Sequence, residues 1–422
     1  MRKQITKTAA GDEMSLLPTP GIGRAASEAF VARHLRHLVC DGVAGSIEFR
    51  GGQRAADAAL AAFDVSGYAR NRSEVLPVSR RGASALSPYI RHGLLTLPQV
   101  WQHVAGGPER DVQKFRDELL WQEFARHWYS RLGAKTRRGV RNALPPTTAS
   151  DVATGWDRRM ACMNNTIGEL VTDGWLVNQT RMWLSSHWSV RNGMAWQDGE
   201  DYFFKHLLDG SRAANRLGWQ WTTGAGSSQH YGFSRYQVEK RAKVLCNMCE
   251  VEQWCPIKDW PANPPLSPVA QPVELNRDPH GIRTSGPKHV VETRPADTVW
   301  LTAESLGLAD PALRAHAELP VVFVFDEALL ARLQLSSKRL VYLTETLAEL
   351  GETHQLELHL GDPIEVLADR AVAVTFAPVP GFRRRAEAVV PAETHPWPWL
   401  ARPSNGSISS FSSWRKSVKV IR

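Results

Sequence analysis

Apolar residues recur at intervals of three and four in AADAALAAF (55–63), LPQVWQHV (97–104), KFRDELLWQEFARHWY (114–129) and IGELVTDGWLVNQTRMWLSSHW (167–188). That spacing lays one apolar stripe along a helix, so residues 27–258 read as a mostly helical domain. Its breaks fall at Gly51-Gly52, at Gly106-Gly107-Pro108 and at Leu144-Pro145-Pro146. From Trp260 to Gly281 the periodicity vanishes into WPANPPLSPVAQPVELNRDPHG, the texture of a linker, assigned to 259–295. Beyond it come short β-rich runs, TVWLTA (298–303), VVFVFD (321–326), LELHL (356–360) and AVAVTFAPVP (371–380), alternating with helical stretches such as SSKRLVYLTETLAEL (336–350). Strands alternating with helices predict a parallel α/β sheet. The expected fold class is therefore an all-helical domain followed by a C-terminal Rossmann-like parallel α/β domain over 296–422, with residues 1–26 a flexible N-terminus.

Composition sharpens this picture in three places. A chain of 422 residues can bury a large core and divide into two domains. Its sixteen tryptophans exceed what such a core needs; a buried indole N–H demands a partner, so the surplus points to stacking surfaces or electron carriers beside ordinary packing. The formal charge of +8 favours a polyanionic partner such as nucleic acid, a balance that plain enzymes also show. The start, MRKQITKTAAGDEMS, has no apolar run after its basic residues, and no window is long and apolar enough for a spanning helix. The expectation is a cytosolic protein with no membrane contact. Five cysteines form no disulfide framework at this length.

The segments GWLVNQTRMWLSSHW (174–188) and DGSRAANRLGWQW (209–221) resemble, in residue order and spacing, the flavin pocket of the DNA photolyase/cryptochrome family. The β-rich part, with TVWLTAESLGLADPAL, PVVFVFDEALL and LHLGDPIEVL, resembles the antenna-binding α/β domain that opens ordinary members. Here it comes last, and SFSSWRK (410–416) resembles the segment that closes that domain. The resemblance thus implies a circular permutation, which surface termini and domains docking as units permit.

That resemblance implies FAD in the helical domain. Tyr68 in GYARNR, and Ser84, Leu86 and Ser87 in SALSPYIRHG, would surround its pyrophosphate and ribose, since hydroxyls and exposed N–H groups satisfy phosphate oxygens; read alone, SALSP is an ordinary helix cap. Trp175, Asn178, Arg181, Asp209 and Asn215 would line the ring, with the Arg181–Asp209 pair favouring negative charge on it. For substrate, Glu118, Trp121, Asn178, Met182 and Trp221 match positions that contact a pyrimidine dimer flipped out of damaged DNA. Asn178 stands where enzymes acting on (6-4) lesions carry a histidine, which argues against (6-4) chemistry. Trp219 and Trp196 match electron carriers, with Trp156 near the place of a distal one. Gln122 and Gln179 replace arginines common in dimer photolyases, and Ser211 an aspartate, which keeps a photoreceptor without repair as the alternative. The implied activity is a deoxyribodipyrimidine photo-lyase, monomeric, with an antenna chromophore of unassigned identity.

Cys246, Cys249 and Cys255 form C-x2-C-x5-C followed by Pro256, with Cys162 upstream. A Cys-Pro end is familiar from iron–sulfur sequences, and the set resembles the iron–sulfur bacterial cryptochrome/photolyase branch, implying a [4Fe-4S] cluster. Structural zinc on four thiolates and free thiols remain open readings. Cys40 is isolated and structural.

Overall fold

A computed structural model describes residues 15–144, 155–261 and 265–420. The stretch containing Pro145 and Pro146 lies outside the described residues. Helices cover Gln53–Ala62, Leu97–His103, Glu109–Leu132, Ala161–Asp173, Asn178–Ser185, Trp196–His206, Arg212–Thr223 and Arg235–Asn247. Among the described residues nine short strands follow or flank them: β1 (Ser15–Leu17), β2 (Asn142–Ala143), β3 (Ser267–Pro268), β4 (Val291–Glu292), β5 (Thr298–Leu301), β6 (Val321–Asp326), β7 (Leu356–Gly361), β8 (Val372–Thr375) and β9 (Glu393–His395).

The main sheet runs β1-β7-β6-β5-β8-β9-β4. Strands β5 to β9 pair in parallel, and β1 and β4 close the two edges antiparallel. Taken by chain order, the five parallel strands lie 3-2-1-4-5, the doubly wound arrangement in which the chain reverses direction beside its first strand. Strands β5, β6 and β8 are buried almost throughout, which is why they read as continuous apolar runs and not as alternation. Their inner faces share one hydrophobic core with the helices, in which Val299, Val321 and Leu340 join Leu86, Leu119 and Phe124.

Two expectations change. Within the stretch read as flexible, residues 1–26, Ser15–Leu17 is a strand whose partners are Leu358–Leu360. The helix Arg24–Phe30, read into the helical domain from residue 27, packs instead on the Ser337–Leu350 helix, where Arg24 Nε donates to Glu345 Oε1 at 2.7 Å. Both elements are too short for a periodicity signal, and their partners lie more than 300 residues away in sequence. Second, the long apolar run 167–188 is two helices. Gly174 caps the first at φ 68°, and a Cβ there would lie 3.0 Å from Leu208 Cγ; the chain then extends before restarting at Asn178.

Candidate flavin pocket and thiol cluster

The core of the helical part gathers Trp183, Trp188, Trp196, Phe203 and Trp219 around the end of the Arg212–Thr223 helix. Ser211 caps that helix by accepting from Ala213 N at 3.2 Å. The cap fixes where Asn215 and Trp219 point, one turn apart on the buried side, while Trp221 projects outward at 45% exposure. Facing them, the Asn178–Ser185 helix presents Arg181, whose guanidinium donates to Asp209 Oδ2 at 2.7 Å and to the Leu176 carbonyl at 3.0 Å. The predicted pair is thus assembled. The second oxygen of Asp209 and the Asn215 amide nitrogen are buried without a protein partner, as are the indole nitrogens of Trp183 and Trp219. Buried polar atoms left open are costly, about 1–3 kcal/mol each, so the Asp209 and Asn215 atoms are candidate contacts for a polar ligand.

The SALSPYIRHG segment delivers its side chains nearby. Ser87 accepts from Trp175 Nε1 at 3.0 Å, bringing together two residues expected at the flavin. Ala85 holds a left-handed φ of 54°, a conformation that costs a non-glycine residue on the order of 1 kcal/mol and recurs where backbone is shaped around a ligand. Leu86 is fully buried, and Ser84 Oγ accepts weakly from Leu86 N at 3.5 Å. Tyr68 packs edge-on against Phe115 at 4.9 Å, and burial, reinforced by Glu118, pushes its phenol well above the ordinary range.

At the substrate side the predicted residues separate. Glu118 lies 3.0 Å from Lys114 and 3.5 Å from Arg72. Asn178 is exposed and Met182 half-buried. Trp121 is not an open platform as expected: its ring stacks on Phe411, centroids 4.0 Å apart and planes within 9°. The Phe411–Ser417 helix is held there by Trp414, whose indole donates to His127 Nδ1 at 2.8 Å. Sequence reasoning missed this cover because its partners lie almost 300 residues apart. Gln179, in place of an arginine, donates to the Tyr231 hydroxyl at 2.8 Å, and the Tyr231 ring adjoins Trp221 at 6.1 Å. Arg72 was also passed over, although its spacing of four from Tyr68 in GYARNR was available.

Of the electron carriers, Trp219 and Trp196 are both buried, and the Trp219 ring packs against the Trp196–His206 helix, where a Cβ on Gly199 would meet it at 2.2 Å. Trp156 stands beside Trp188 at 4.4 Å and Tyr202 at 5.3 Å.

The four cysteines converge. Cys162 from the Ala161–Asp173 helix, Cys246 from the end of the Arg235–Asn247 helix, and Cys249 and Cys255 from the following loop line one cavity with Met160, Arg235 and Ile257. Burial first, then the neighbouring thiols, pushes Cys162 far up; Cys246 is raised by burial to about 11. The Ala161 N–H donates to Cys249 Sγ at 3.4 Å. Arg235 and Arg191 supply positive charge beside Cys246 and Cys255. Cys40 stays apart, near Asp41 and His206. No helix among the described residues is long and apolar enough to cross a membrane.

Residues 115–301 match the family model for the FAD binding domain of DNA photolyase. A deoxyribodipyrimidine photo-lyase of Alkalihalophilus pseudofirmus is 31% identical over 173 residues, 39% of this chain and 35% of that protein. One from Thermus thermophilus is 28% identical over 244 residues, 54% of this chain and 55% of the relative. A bacterial class III photolyase of Agrobacterium tumefaciens, known by crystal structure, aligns at TM-score 0.40 and 24% identity over 46% of this chain and 43% of that one. The chain therefore spans about half or less of the length of these relatives. Through the FAD-binding domain that residues 115–301 match, these similarities support the DNA photolyase/cryptochrome family for this chain.

Proposed function

We propose that this protein is a light-driven DNA repair flavoprotein that splits cyclobutane pyrimidine dimers, binding FAD between Asn215, Arg181–Asp209 and the Ser84–Ser87 segment. The observation that carries the reading is the set of buried, unpartnered polar atoms on Asp209 and Asn215 beside the Arg181 ion pair. These residues fit an isoalloxazine, which has both N–H donors and acceptor positions on one edge. When bound and reduced, FAD supplies a light-excited electron for the lesion. The chain's own residues do the rest. Arg181 offsets negative charge at the ring, Asn215 offers an amide to it, and Trp219 and Trp196 give a buried aromatic route from it. Trp221, exposed beside Tyr231, offers a flat face to an extruded dimer. Glu118 addresses the polar edge of the bases once it leaves Lys114 and Arg72.

The four thiols are read as the ligands of a [4Fe-4S] cluster. A single tetrahedral zinc ion draws its sulfurs to about 3.8 Å of one another, from Zn–S bonds of about 2.3 Å. The four thiols line one cavity, contributed by two helices and the loop after the second. The N–H bond to Cys249 and the two arginines are the kinds of contact that hold a negatively charged cluster. The reading extends to the domain order, helical part first and antenna-type sheet last, as a circular permutation of the family's arrangement.

A second reading, a blue-light photoreceptor without repair, is favoured by the cover that Phe411 places on Trp121 and by the engagement of Gln179 with Tyr231. The deciding experiment illuminates the photoreduced protein with an oligonucleotide containing a thymine dimer. Light-dependent recovery of thymine is expected; normal flavin photoreduction without recovery would move the protein to the second reading.

A further inference from the structure

We infer that the α/β part holds a separate divalent transition-metal site formed by His316, Glu393 and His395. Glu393 and His395 are alternate residues of β9, so both side chains leave the same face of the sheet. His316 directly follows the Pro311–Ala315 helix, whose start is fixed by Asp310 accepting from Leu313 N at 2.9 Å. Two distant stretches of chain thereby bring three ligand atoms to one point. His316 Nε2 lies 2.7 Å and His395 Nε2 3.3 Å from the same carboxylate oxygen, Glu393 Oε2. All three atoms lie within 4.8 Å of one another.

An ordinary histidine–carboxylate pair uses one imidazole. Here two rings aim the same nitrogen at one oxygen, their centroids 5.8 Å apart and their planes at 89°. Metal bonds of about 2.0–2.2 Å to each of the three need only small side-chain adjustments from this arrangement. The other carboxylate oxygen, Oε1, accepts from Ala296 N at 3.3 Å, a contact that orients the carboxylate as outer-shell bonds do around metal ligands. The enclosure is uneven. The side chains of Glu393 and His395 are 8% and 5% exposed, whereas that of His316 is 24% exposed. A bound ion would be held from within and keep a coordination position open toward solvent. Two imidazoles and one carboxylate select the zinc and ferrous class over magnesium or calcium, which take oxygen ligands. This site shares no residue with the thiol cavity, and it stands whether or not the protein repairs DNA.

The test titrates cobalt(II) into the purified full-length protein, with zinc as competitor and magnesium as control. Expected is a cobalt site showing d–d absorption without thiolate-to-cobalt charge-transfer bands, displaced by zinc and untouched by magnesium. His316→Asn should weaken it by about 100-fold or more, beyond the 10–100-fold range typical of outer-shell changes. Glu393→Gln should abolish it, with circular dichroism reporting whether that buried variant folds; if it does not, the partly exposed His316 carries the decision. Cobalt bound only with thiolate bands, or non-thiolate binding that survives His316→Asn at wild-type affinity, overturns the proposal.

Discussion

The Arg181–Asp209 pair shows how much depends on one carboxylate. Asp209 is buried, holds Arg181 with one oxygen and leaves the other open. Replacing it with asparagine keeps the volume and strands a largely buried guanidinium, a loss of about 3–5 kcal/mol when one partner of a buried pair goes. Asp209→Asn is expected to purify with less flavin than the wild type and to bind added FAD at least 10-fold more weakly, read from the flavin-to-protein absorbance ratio and a fluorescence titration. The two tryptophans of the substrate side separate by the same kind of reasoning. Trp221 is exposed and Trp121 is stacked under Phe411. Stacking on a base is worth about 1–3 kcal/mol, so Trp221→Ala should weaken binding of dimer-containing DNA about 10-fold and leave the melting temperature nearly unchanged. Trp121→Ala should do the reverse, lowering the melting temperature; filter binding and thermal melts distinguish them. Much of this pocket was legible in the sequence, because Arg181, Asp209, Asn215 and Trp219 stand on two short segments whose spacing survives folding. The cover on Trp121 was not, since nothing local to DELLWQEF encodes what will lie on it.

At the scale of an element, the Glu109–Leu132 helix carries two buried titratable groups with opposite shifts into the junction with the C-terminal segment. Glu123 is fully buried and accepts from Ala401 N at 2.9 Å; burial pushes its carboxyl up to about 7 from 4.5. One turn on, His127 accepts from Trp414, and burial lowers its ring to about 3 from 6.5. Between pH 4.5 and 6.5 the folded Glu123 keeps a proton that the unfolded chain has shed, so its share of stability is present at low pH and lost as pH rises through 7. His127 acts oppositely: the unfolded chain takes up a proton that the folded ring refuses, so its share is lost as pH falls. Each amounts to about 1.4 kcal/mol per pH unit, and the two offset. Glu123→Gln removes the first alone. Relative to the wild type, that variant should lose about 1.4 kcal/mol of unfolding free energy for each unit between pH 6.5 and 4.5, measured by urea titration at three pH values; a constant difference would exclude this account. The strands tell the complementary story. β5, β6, β7 and β8 were readable as apolar runs, whereas β1, β4 and β9 have two or three residues each and exist only because a neighbouring strand offers them an edge.

For the whole molecule, the question is whether helices and sheet unfold together. Their shared core suggests one cooperative unit, and Arg339 joins Arg91, paired with Glu304, and Arg131, which donates to the Ser404 and Gly406 carbonyls, among the cations at the seam. Arg339, on the Ser337–Leu350 helix of the α/β part, is 4% exposed and donates through Nε to the Leu207 carbonyl at 2.9 Å. Its terminal nitrogen reaches the Phe204 and Leu207 carbonyls, and its guanidinium lies over the Phe204 ring at 4.8 Å. These carbonyls end the Trp196–His206 helix, where the backbone is electron-rich, so a cation there is favoured beside the Gly210 N–H that also donates to the Leu207 carbonyl at 3.1 Å. Two residues beyond Leu207 stands Asp209, so this contact between the two parts holds the backbone that leads to the carboxylate paired with Arg181. Nothing in SSKRLVYLTETLAEL reveals this, since the arginine lies on an amphipathic helix and its acceptors belong to the other part. Arg339→Met preserves the length and the apolar contact while deleting the side-chain donors to the Phe204 and Leu207 carbonyls, a loss of about 1–3 kcal/mol. In calorimetry the wild type should melt in a single transition. Arg339→Met should melt earlier and in two, with flavin released in the first, because the end of the Trp196–His206 helix and Asp209 lose their anchor together. A single transition with flavin retained would show instead that the apolar core alone couples the two parts and that Arg339 does not position Asp209.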